Sequence, residues 1–333
     1  NEGEQDPVEP VTGSIDVVSA TLSFEDEILT NLYYTVSGIE ATEMGLLTWA
    51  SKPVDGTIDN ADKVYVGAKY DAAKDRYMVQ TAGIAAKNLG DDIYMRVYAK
   101  TANGIIYSDV VTYSPKQYAM SRLEKSSNAS MKALCAAMLN YGAAAQEYFG
   151  YKTDSLMNAD LTAEQQALVA AYNKDLFNGA VAVDTAKVGS FAKTEGFSKK
   201  SVTVSFEGAF AVNYYFTASN EVAGEMTFYY WSAEAYAEAE ALSAENASGA
   251  VTMVATEDGR YWAEISGVAA KQLDETFYAA AVYTDAAGET HCTGVMAYSL
   301  STYCMKNAVT GNAMQALAEA TAMYGYYAKQ YFA

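Results

Sequence analysis

The chain has 333 residues, of which 51% are hydrophobic, and its formal net charge is −19. This length and apolar content predict about two folded domains rather than a disordered protein. The negative charge argues against nucleic acid and anionic membrane surfaces as partners, because both would repel it, and no apolar run reaches the roughly 18 residues of a membrane span.

The tyrosine content is high, at 28 residues, whereas histidine occurs once. A phenol ring has a flat apolar face and a polar tip, which suits the recognition of polar, ring-shaped ligands. Tyrosine is also a good strand former, so its abundance has a purely structural explanation as well. The three cysteines do not form a disulfide framework: Cys135 is expected in a core, and pairing of Cys292 with Cys304 stays open.

The acidic, proline-bearing opening of the chain, residues 1–13, is typical of a linker. The rest contains an internal repeat, because Ser23-Phe-Glu matches Ser205-Phe-Glu and the match continues without a gap to Trp49 and Trp231. A chain that repeats itself is read as two copies of one unit. We therefore divide it into three segments: the first repeat, residues 14–177; a connection, residues 178–200; and the second repeat, residues 201–333.

Alternating apolar and polar residues predict strands in the first repeat. These strands cover residues 15–24, 28–36, 44–50, 65–68 and 76–81. The segment that follows resembles the second half of a fibronectin type III or immunoglobulin-like sandwich, in which a leucine precedes a turn and a Tyr-x-Arg-x-Tyr strand. The residues that carry this resemblance are Leu89, Tyr94, Arg96, Tyr98 and Gly104, and the second repeat keeps Leu273, Tyr278 and Tyr283.

Helices are predicted after the strands of each repeat. Ser114, followed by proline, is typical of a helix start, and a longer helix runs over residues 131–149 and ends at Gly150. Thr162, with Gln165 in capping-box spacing, begins another helix, and the second long helix covers residues 314–332. We expect the long helices to pack on their own sheets or on each other, with Tyr141 and Tyr324 in equivalent places. The predicted fold class is therefore α+β: two tandem pseudo-repeats, each an immunoglobulin- or fibronectin III-like β-sandwich followed by a helical segment.

Catalytic and cofactor motifs are absent from the sequence. There is no phosphate loop, dinucleotide fingerprint or zinc-ligand spacing, so no cofactor and no metal are expected. The single histidine, His291, has no nucleophile motif nearby and is expected on the surface. Glu25 and Glu207 occupy matching places, which favours a turn or sheet-edge position rather than a catalytic pair.

Aromatic residues are the stronger candidates for a binding site. Trp49 and Trp231 end matching strands, and each is either a core tryptophan or a stacking platform. Trp262 stands where the first repeat has Met78, so the shared core does not require an indole there, and Trp262 is the better candidate for exposure. Two recurring lysines either bind ligand or are solvated. The predicted ligand-binding residues are Trp49, Trp231, Trp262, Tyr229, Tyr230, Tyr77, Tyr261, Lys87 and Lys271.

The helix that begins Lys132-Ala-Leu-Cys and ends Gln146-Glu-Tyr-Phe-Gly-Tyr resembles exported sandwich-plus-helix modules of gut Firmicutes, in particular the starch-binding proteins of starch-adherence complexes (amylosomes). The resemblance implies a non-catalytic protein that binds α-1,4-glucan, is secreted or attached to the cell surface, and has other cell-surface complex components as further partners. Two alternatives stay open: a cell-surface structural or adhesion spacer, and a glycoside hydrolase of unrecognised type.

Overall fold

The computed structural model of the chain describes residues 11–333, so most of the expected linker lies outside the described part. The described residues form four antiparallel sheets and six α-helices. The elements of the first repeat are β1 (Ser14–Ser23), β2 (Leu29–Ser37), β3 (Glu43–Trp49), β4 (Lys63–Val66), β5 (Lys69–Asp71), β6 (Arg76–Gln80), β7 (Ile93–Thr101), β8 (Gly104–Tyr107), β9 (Val111–Tyr113), α1 (Pro115–Lys125), α2 (Ala129–Phe149) and α3 (Ala163–Gln166).

The later part of the chain begins its first strand inside the predicted connection. The prediction for residues 178–200 is a connection with room for one strand, and β10 starts there at Phe197 and pairs with the next strand. The remaining elements are β10 (Phe197–Ser205), β11 (Phe210–Ala218), β12 (Thr227–Trp231), α4 (Ala233–Glu238), β13 (Gly249–Thr252), β14 (Val254–Ala255), β15 (Tyr261–Val268), β16 (Phe277–Thr284), β17 (Thr290–Cys292), β18 (Met296–Tyr298), α5 (Leu300–Asn307) and α6 (Gln315–Tyr331).

The sheets of the two repeats have the same strand order. The four-stranded sheets run β1-β2-β6-β5 and β10-β11-β15-β14, and the five-stranded sheets run β4-β3-β7-β8 and β13-β12-β16-β17, with β9 and β18 added on β7 and β16. The register is also shared, because Trp49 lies opposite Tyr94 and Trp231 lies opposite Tyr278. The prediction that the two tryptophans occupy equivalent strands is confirmed.

The same register corrects one expected match. Tyr98 lies opposite Gly45, whereas the residue at the equivalent place in the second repeat, opposite Thr227, is Val282. Tyr283 is therefore one position further along and points to the other face of its sheet, since successive strand residues alternate. Its hydroxyl donates to the backbone oxygen of Gly196 at 2.6 Å.

Alternation along the strands places apolar side chains between the sheets. In the first repeat, Leu32 and Tyr34 of β2 and Leu46 and Val97 of β3 and β7 are fully buried in one cluster. In the second repeat, Tyr214 and Phe228, from the equivalent strands of its two sheets, lie 4.9 Å apart between ring centroids. In each repeat, the two sheets therefore contribute to a common core.

The helix ends follow the signals in the sequence. The Ser114 side chain accepts a hydrogen bond from the Gln117 backbone N–H, and Gly150 adopts the left-handed conformation that ends α2. Thr162 and Gln165 form the predicted reciprocal cap, although α3 lasts only one turn. Within residues 11–333, no helix is long and apolar enough to cross a bilayer.

The long helices pack on each other, and their central tyrosines are in equivalent places, as predicted. The rings of Tyr141 and Tyr324 stack with centroids 5.1 Å apart and planes 11° apart. Contacts around them are reciprocal between the repeats: Phe24 meets Phe332, and Phe206 meets Phe149. Such exchange of equivalent contacts is the pattern of a two-fold related interface. The largest core cluster contains buried residues of both repeats.

We expect that replacing Gly325 with alanine lowers the free energy of unfolding by about 1–3 kcal/mol through overpacking, despite the roughly 1 kcal/mol gain in helix propensity. An added Cβ would lie 2.9 Å from the Ala270 carbonyl oxygen and 2.9 Å from the Leu273 Cβ. Urea unfolding measures the change. At the equivalent Gly142, the atom in the way is the flexible Met157 side chain, so Gly142→Ala is the matched variant and should cost less.

Candidate functional site

The two tryptophans at the strand ends belong to the core. Trp231 is 0% exposed and Trp49 is 5% exposed. The Trp49 Nε1 donates to the Asn60 backbone oxygen at 2.7 Å, and the Trp231 Nε1 donates to the Asn246 side-chain oxygen at 2.9 Å. Neither indole offers a free face to a polymer, so both leave the set of candidate ligand-binding residues.

The two asparagines build the same loop in each repeat, which explains why both repeats carry this tryptophan. The Asn60 side chain accepts a hydrogen bond from the Thr57 N–H and donates one to the Asp55 carbonyl. In the same way, the Asn246 side chain accepts from the Ser243 N–H and donates to the Ala241 carbonyl. The sequence separations are identical. Each indole therefore anchors an asparagine-centred loop against the sheet.

The tyrosines beside Trp231 pack against protein on both faces of β12. Tyr230 packs against the large core cluster, whereas Tyr229 faces a separate cluster with Trp231. Phe191 of the connection covers this second face, with its ring centroid 5.1 Å from Tyr229 and 4.9 Å from Trp231. Both faces of β12 therefore pack against protein, which gives the partly buried Tyr229 and Tyr230 a packing role in place of the predicted ligand-binding role.

Tyr77 and Tyr261 lie on the core-facing sides of their sheets. Tyr77 stacks on the buried Tyr34 with centroids 5.5 Å apart. Tyr261 lies opposite Phe216 in the ladder, and Tyr261 packs against the core cluster that contains Phe216. These two predicted ligand-binding residues are therefore partly buried and pack against the cores of their repeats.

The recurring lysines form ion pairs between the repeats. Lys271 Nζ lies 2.7 Å from Glu25 Oε1, and Lys87 Nζ lies 3.6 Å from Glu207 Oε1. Each pair joins one repeat to the other, and the pairs are equivalent, which accounts for the repetition of both residue types in the sequence. The hydrogen bond to Glu25 raises the pKa of Lys271. The predicted ligand-binding role for Lys87 and Lys271 gives way to an interface role.

Among the predicted aromatic residues, Trp262 is the one that lies outside the core clusters of the described residues. It sits on the outward face of the four-stranded sheet of the second repeat, opposite Tyr215 in the ladder. Its Nε1 donates to the Asn213 side-chain oxygen at 2.9 Å, and Asn213 donates to the Ser205 hydroxyl at 2.8 Å. The indole is partly exposed and held in orientation by these bonds.

Charged groups flank this indole. The guanidinium of Arg260 lies 4.4 Å from the Tyr215 ring centroid, and its Nε donates to Asp258 at 2.8 Å. Glu264 lies opposite Asn213 in the ladder between β11 and β15. We call Asn213, Tyr215, Arg260, Trp262 and Glu264 the outer face of the second repeat. It combines ring surface with donors and acceptors on a rigid sheet.

The first repeat has the same layout without the indole. Asn31 accepts from Gln80 Nε2 at 2.7 Å and donates to the Ser23 hydroxyl at 2.9 Å. Arg76 lies 4.0 Å from the Tyr33 ring centroid, and Met78 is opposite Tyr33, where Trp262 is opposite Tyr215. The outer faces are thus related, and the face of the second repeat has the larger aromatic surface.

The sequence interpretation missed Asn213, Tyr215 and Arg260. A signal was available, because Asn31 and Tyr33 match Asn213 and Tyr215 within the best-aligned segment. An asparagine in the middle of a strand is uncommon, so its recurrence marks a place where a polar side chain is needed on one face.

A second accessible feature is a cleft of about 870 Å³, lined by the first repeat and by Glu207 of the second. Tyr65, Tyr94, Tyr151 and Lys152 are among the residues that line it. Asp91 accepts hydrogen bonds from the Tyr151 hydroxyl at 2.7 Å and from Lys152 at 2.6 Å. Burial of Asp91 raises its pKa, but the hydrogen bonds outweigh this effect, so the pKa of Asp91 lies below its ordinary value.

His291 is buried, at 7% exposure, and the expectation of a surface histidine is wrong. Its Nδ1 lies 2.8 Å from the Glu195 carbonyl oxygen and its Nε2 lies 2.9 Å from Asp285 Oδ2. Because both ring nitrogens face oxygen atoms, the imidazolium form satisfies both bonds. The Asp285 bond raises the pKa of His291, and the same bond lowers the pKa of Asp285. Asp285 also accepts backbone N–H groups of its own turn.

The stability of the protein should therefore depend on pH through this pair. The contribution of His291 is complete below its ordinary pKa of 6.5 and is lost as the pH rises through its raised pKa. The contribution of Asp285 is present above its ordinary pKa of 3.8 and is lost as the pH falls through its lowered pKa. We expect unfolding free energy to fall above pH 6.5 and His291→Gln to remove that dependence.

The control is built into the chain, because His291 is its only histidine. Urea unfolding at a series of pH values between 5 and 9 measures the dependence. A decline of equal size in the parent and in His291→Gln would contradict the assignment.

Comparison with known proteins adds no function to this geometry. No protein-family model matches the chain, and no curated protein matches it.

Proposed function

We propose that the protein binds a polysaccharide without cleaving it, and that the outer face of the second repeat is its principal site. The observation that carries the proposal is the partly exposed indole of Trp262, held beside Tyr215 by a hydrogen bond to Asn213. In the first repeat, methionine occupies this position, so the fold does not need the indole.

The chemistry of the face suits sugar rings. A pyranose presents C–H groups on its ring faces, which stack on aromatic rings, and hydroxyl groups at its rim. Trp262 supplies ring surface, Tyr215 carries the Arg260 guanidinium over its ring, and Arg260 and Glu264 offer a hydrogen-bond donor and acceptor. Tyr215, Trp262 and Glu264 stand on the adjacent strands β11 and β15, and Arg260 directly precedes β15, which keeps their spacing fixed. A flat face of this kind suits an extended polymer more than a small molecule that needs enclosure.

The proposed ligand is α-1,4-glucan, because the long helix of the first repeat resembles those of starch-adherence proteins. The proposal includes the architecture of such proteins: two tandem sandwich-plus-helix lobes in an exported or surface-attached chain, beside other components of a cell-surface complex. Two related outer faces would contact two stretches of one polymer, and linked weak sites raise apparent affinity through effective concentration.

The spacer function is the second candidate, and the interface between the repeats is compatible with it. The stacked Tyr141 and Tyr324, with the reciprocal ion pairs of Lys87 and Lys271, hold the repeats in one arrangement. A fixed arrangement serves a spacer as well as a polymer binder. Binding measurements separate the two functions.

The test is affinity electrophoresis in gels that contain amylopectin, with Trp262→Met and Trp262→Ala. Stacking on one aromatic ring contributes roughly 1–2 kcal/mol by analogy with other aromatic contacts, so each variant should bind about tenfold more weakly. Trp262→Met introduces the residue of the equivalent position, so folding should be retained, and Met78→Ala is the matched control.

Equal retardation of the parent and both Trp262 variants would remove the outer face as the principal site. A parent that binds no polysaccharide in a panel with amylopectin, xylan and β-glucan would favour the spacer. Release of reducing sugar by the parent would indicate a hydrolase instead.

A further inference from the structure

The outward faces of the five-stranded sheets differ between the repeats at one tyrosine. Tyr278, which pairs with Trp231, is covered by the ring of Tyr236 from α4; the two rings are nearly parallel, at 8°, with centroids 3.5 Å apart. The Tyr236 hydroxyl accepts a hydrogen bond from the Asp184 backbone N–H at 2.7 Å. Both tyrosines are buried.

The first repeat has the equivalent tyrosine but no covering ring in the described residues. Tyr94 pairs with Trp49 as Tyr278 pairs with Trp231. The segment from the tryptophan to its asparagine partner spans 11 positions here, against 15 in the second repeat, and it contains no α-helix. Tyr94 therefore lies at the wall of the open cleft.

We propose that this cleft is a second binding site for the polysaccharide, in which one pyranose ring stacks on Tyr94 in the place that Tyr236 occupies on Tyr278. The inference rests on the proposed function and extends it to a specific subsite. The second repeat shows the geometry, because a flat six-membered ring is already seated on the equivalent tyrosine. In this view, the protein closes that place in one repeat with its own side chain and leaves it open in the other.

The other side chains of the cleft suit a neutral, hydroxyl-rich ligand. Three lysines and four carboxylates line it, so the charges nearly balance; they are Lys52, Lys63, Lys152, Asp62, Asp91, Asp92 and Glu207. A cleft of about 870 Å³ falls within the usual range of ligand sites. Tyr65 and Tyr151 add further ring surface. An anionic polymer would meet the carboxylates, and a cationic one would meet the lysines, whereas sugar hydroxyls bond to both.

The experiment is isothermal titration of the full chain with maltoheptaose, in a Trp262→Met background that weakens the outer face. Tyr94→Ala should lower the remaining affinity about tenfold, and Tyr94→Phe, which retains the ring, should bind like the background. Ser51→Trp, an exposed position on the cleft wall, should obstruct the site and weaken binding without removing Tyr94. Circular dichroism and thermal melting confirm that each variant is folded.

Unchanged affinity in folded Tyr94→Ala and Ser51→Trp would overturn the cleft site. If Trp262→Met alone still weakened binding, the proposed function would stand without this subsite. A parent that binds no glucan would overturn both proposals. A crystal soaked with maltoheptaose should show a sugar ring against Tyr94, and density only at Trp262 would count against the inference.

Discussion

Replacing Trp231 with alanine should lower the free energy of unfolding by about 3–5 kcal/mol, the usual range for a large buried aromatic residue. The indole is fully buried, contacts the Phe191 ring at 4.9 Å between centroids and donates to Asn246 at 2.9 Å. Its removal leaves a cavity and an asparagine loop without its anchor. Denaturant unfolding, followed by far-ultraviolet circular dichroism, measures the change.

The control for this prediction is Trp231→Phe, which keeps much of the ring volume and loses only the N–H donor. We expect it to cost less than alanine. Trp49→Ala should have a comparable effect, because the equivalent bond to Asn60 is also lost. A loss of stability below about 1 kcal/mol in Trp231→Ala would show that the loop and the sheet do not depend on the indole. Reduced glycan binding in this variant would reflect lost stability rather than a lost contact.

The combined variant Trp262→Ala and Tyr94→Ala should bind soluble starch at least about a hundredfold more weakly than the parent. Each change removes one stacking contact of roughly tenfold in affinity, and the two residues belong to different repeats, so their effects should add. The bivalent gain in apparent affinity for a long polymer should disappear as well. Affinity electrophoresis with amylopectin, together with titration by maltoheptaose, measures both parts.

The matched control is Lys271→Met, which removes an exposed ion pair between the repeats. Such pairs contribute less than about 1 kcal/mol, so binding and folding should be nearly unchanged, although Lys271 was a predicted ligand-binding residue. If the combined variant lost no more affinity than the single variant with the larger loss, the result would contradict two independent sites. A strong loss in folded Lys271→Met would return the interface lysines to the candidate site.

The sequence by itself determined the repeat and much of the local structure. Matching Ser, Phe, Glu and Trp positions predicted equivalent strands, and the ladders place Trp49 and Trp231 in the same register. Ser114 and Gly150 marked helix ends, because capping depends on only a few neighbouring residues. The stripe that contains Tyr141 and Tyr324 showed that the long helices must be covered.

Only the tertiary structure decided which aromatic side chains are accessible and what the recurring charges do. Periodicity shows that Tyr229 and Trp231 share one face of a strand, but not that Phe191, 40 positions before Trp231, covers it. The roles of Lys87 and Lys271 depend on the association of the repeats, which joins residues far apart in the chain. Trp262 and Trp231 are both strand tryptophans, and burial separates them only because one sheet face packs against protein while the other does not.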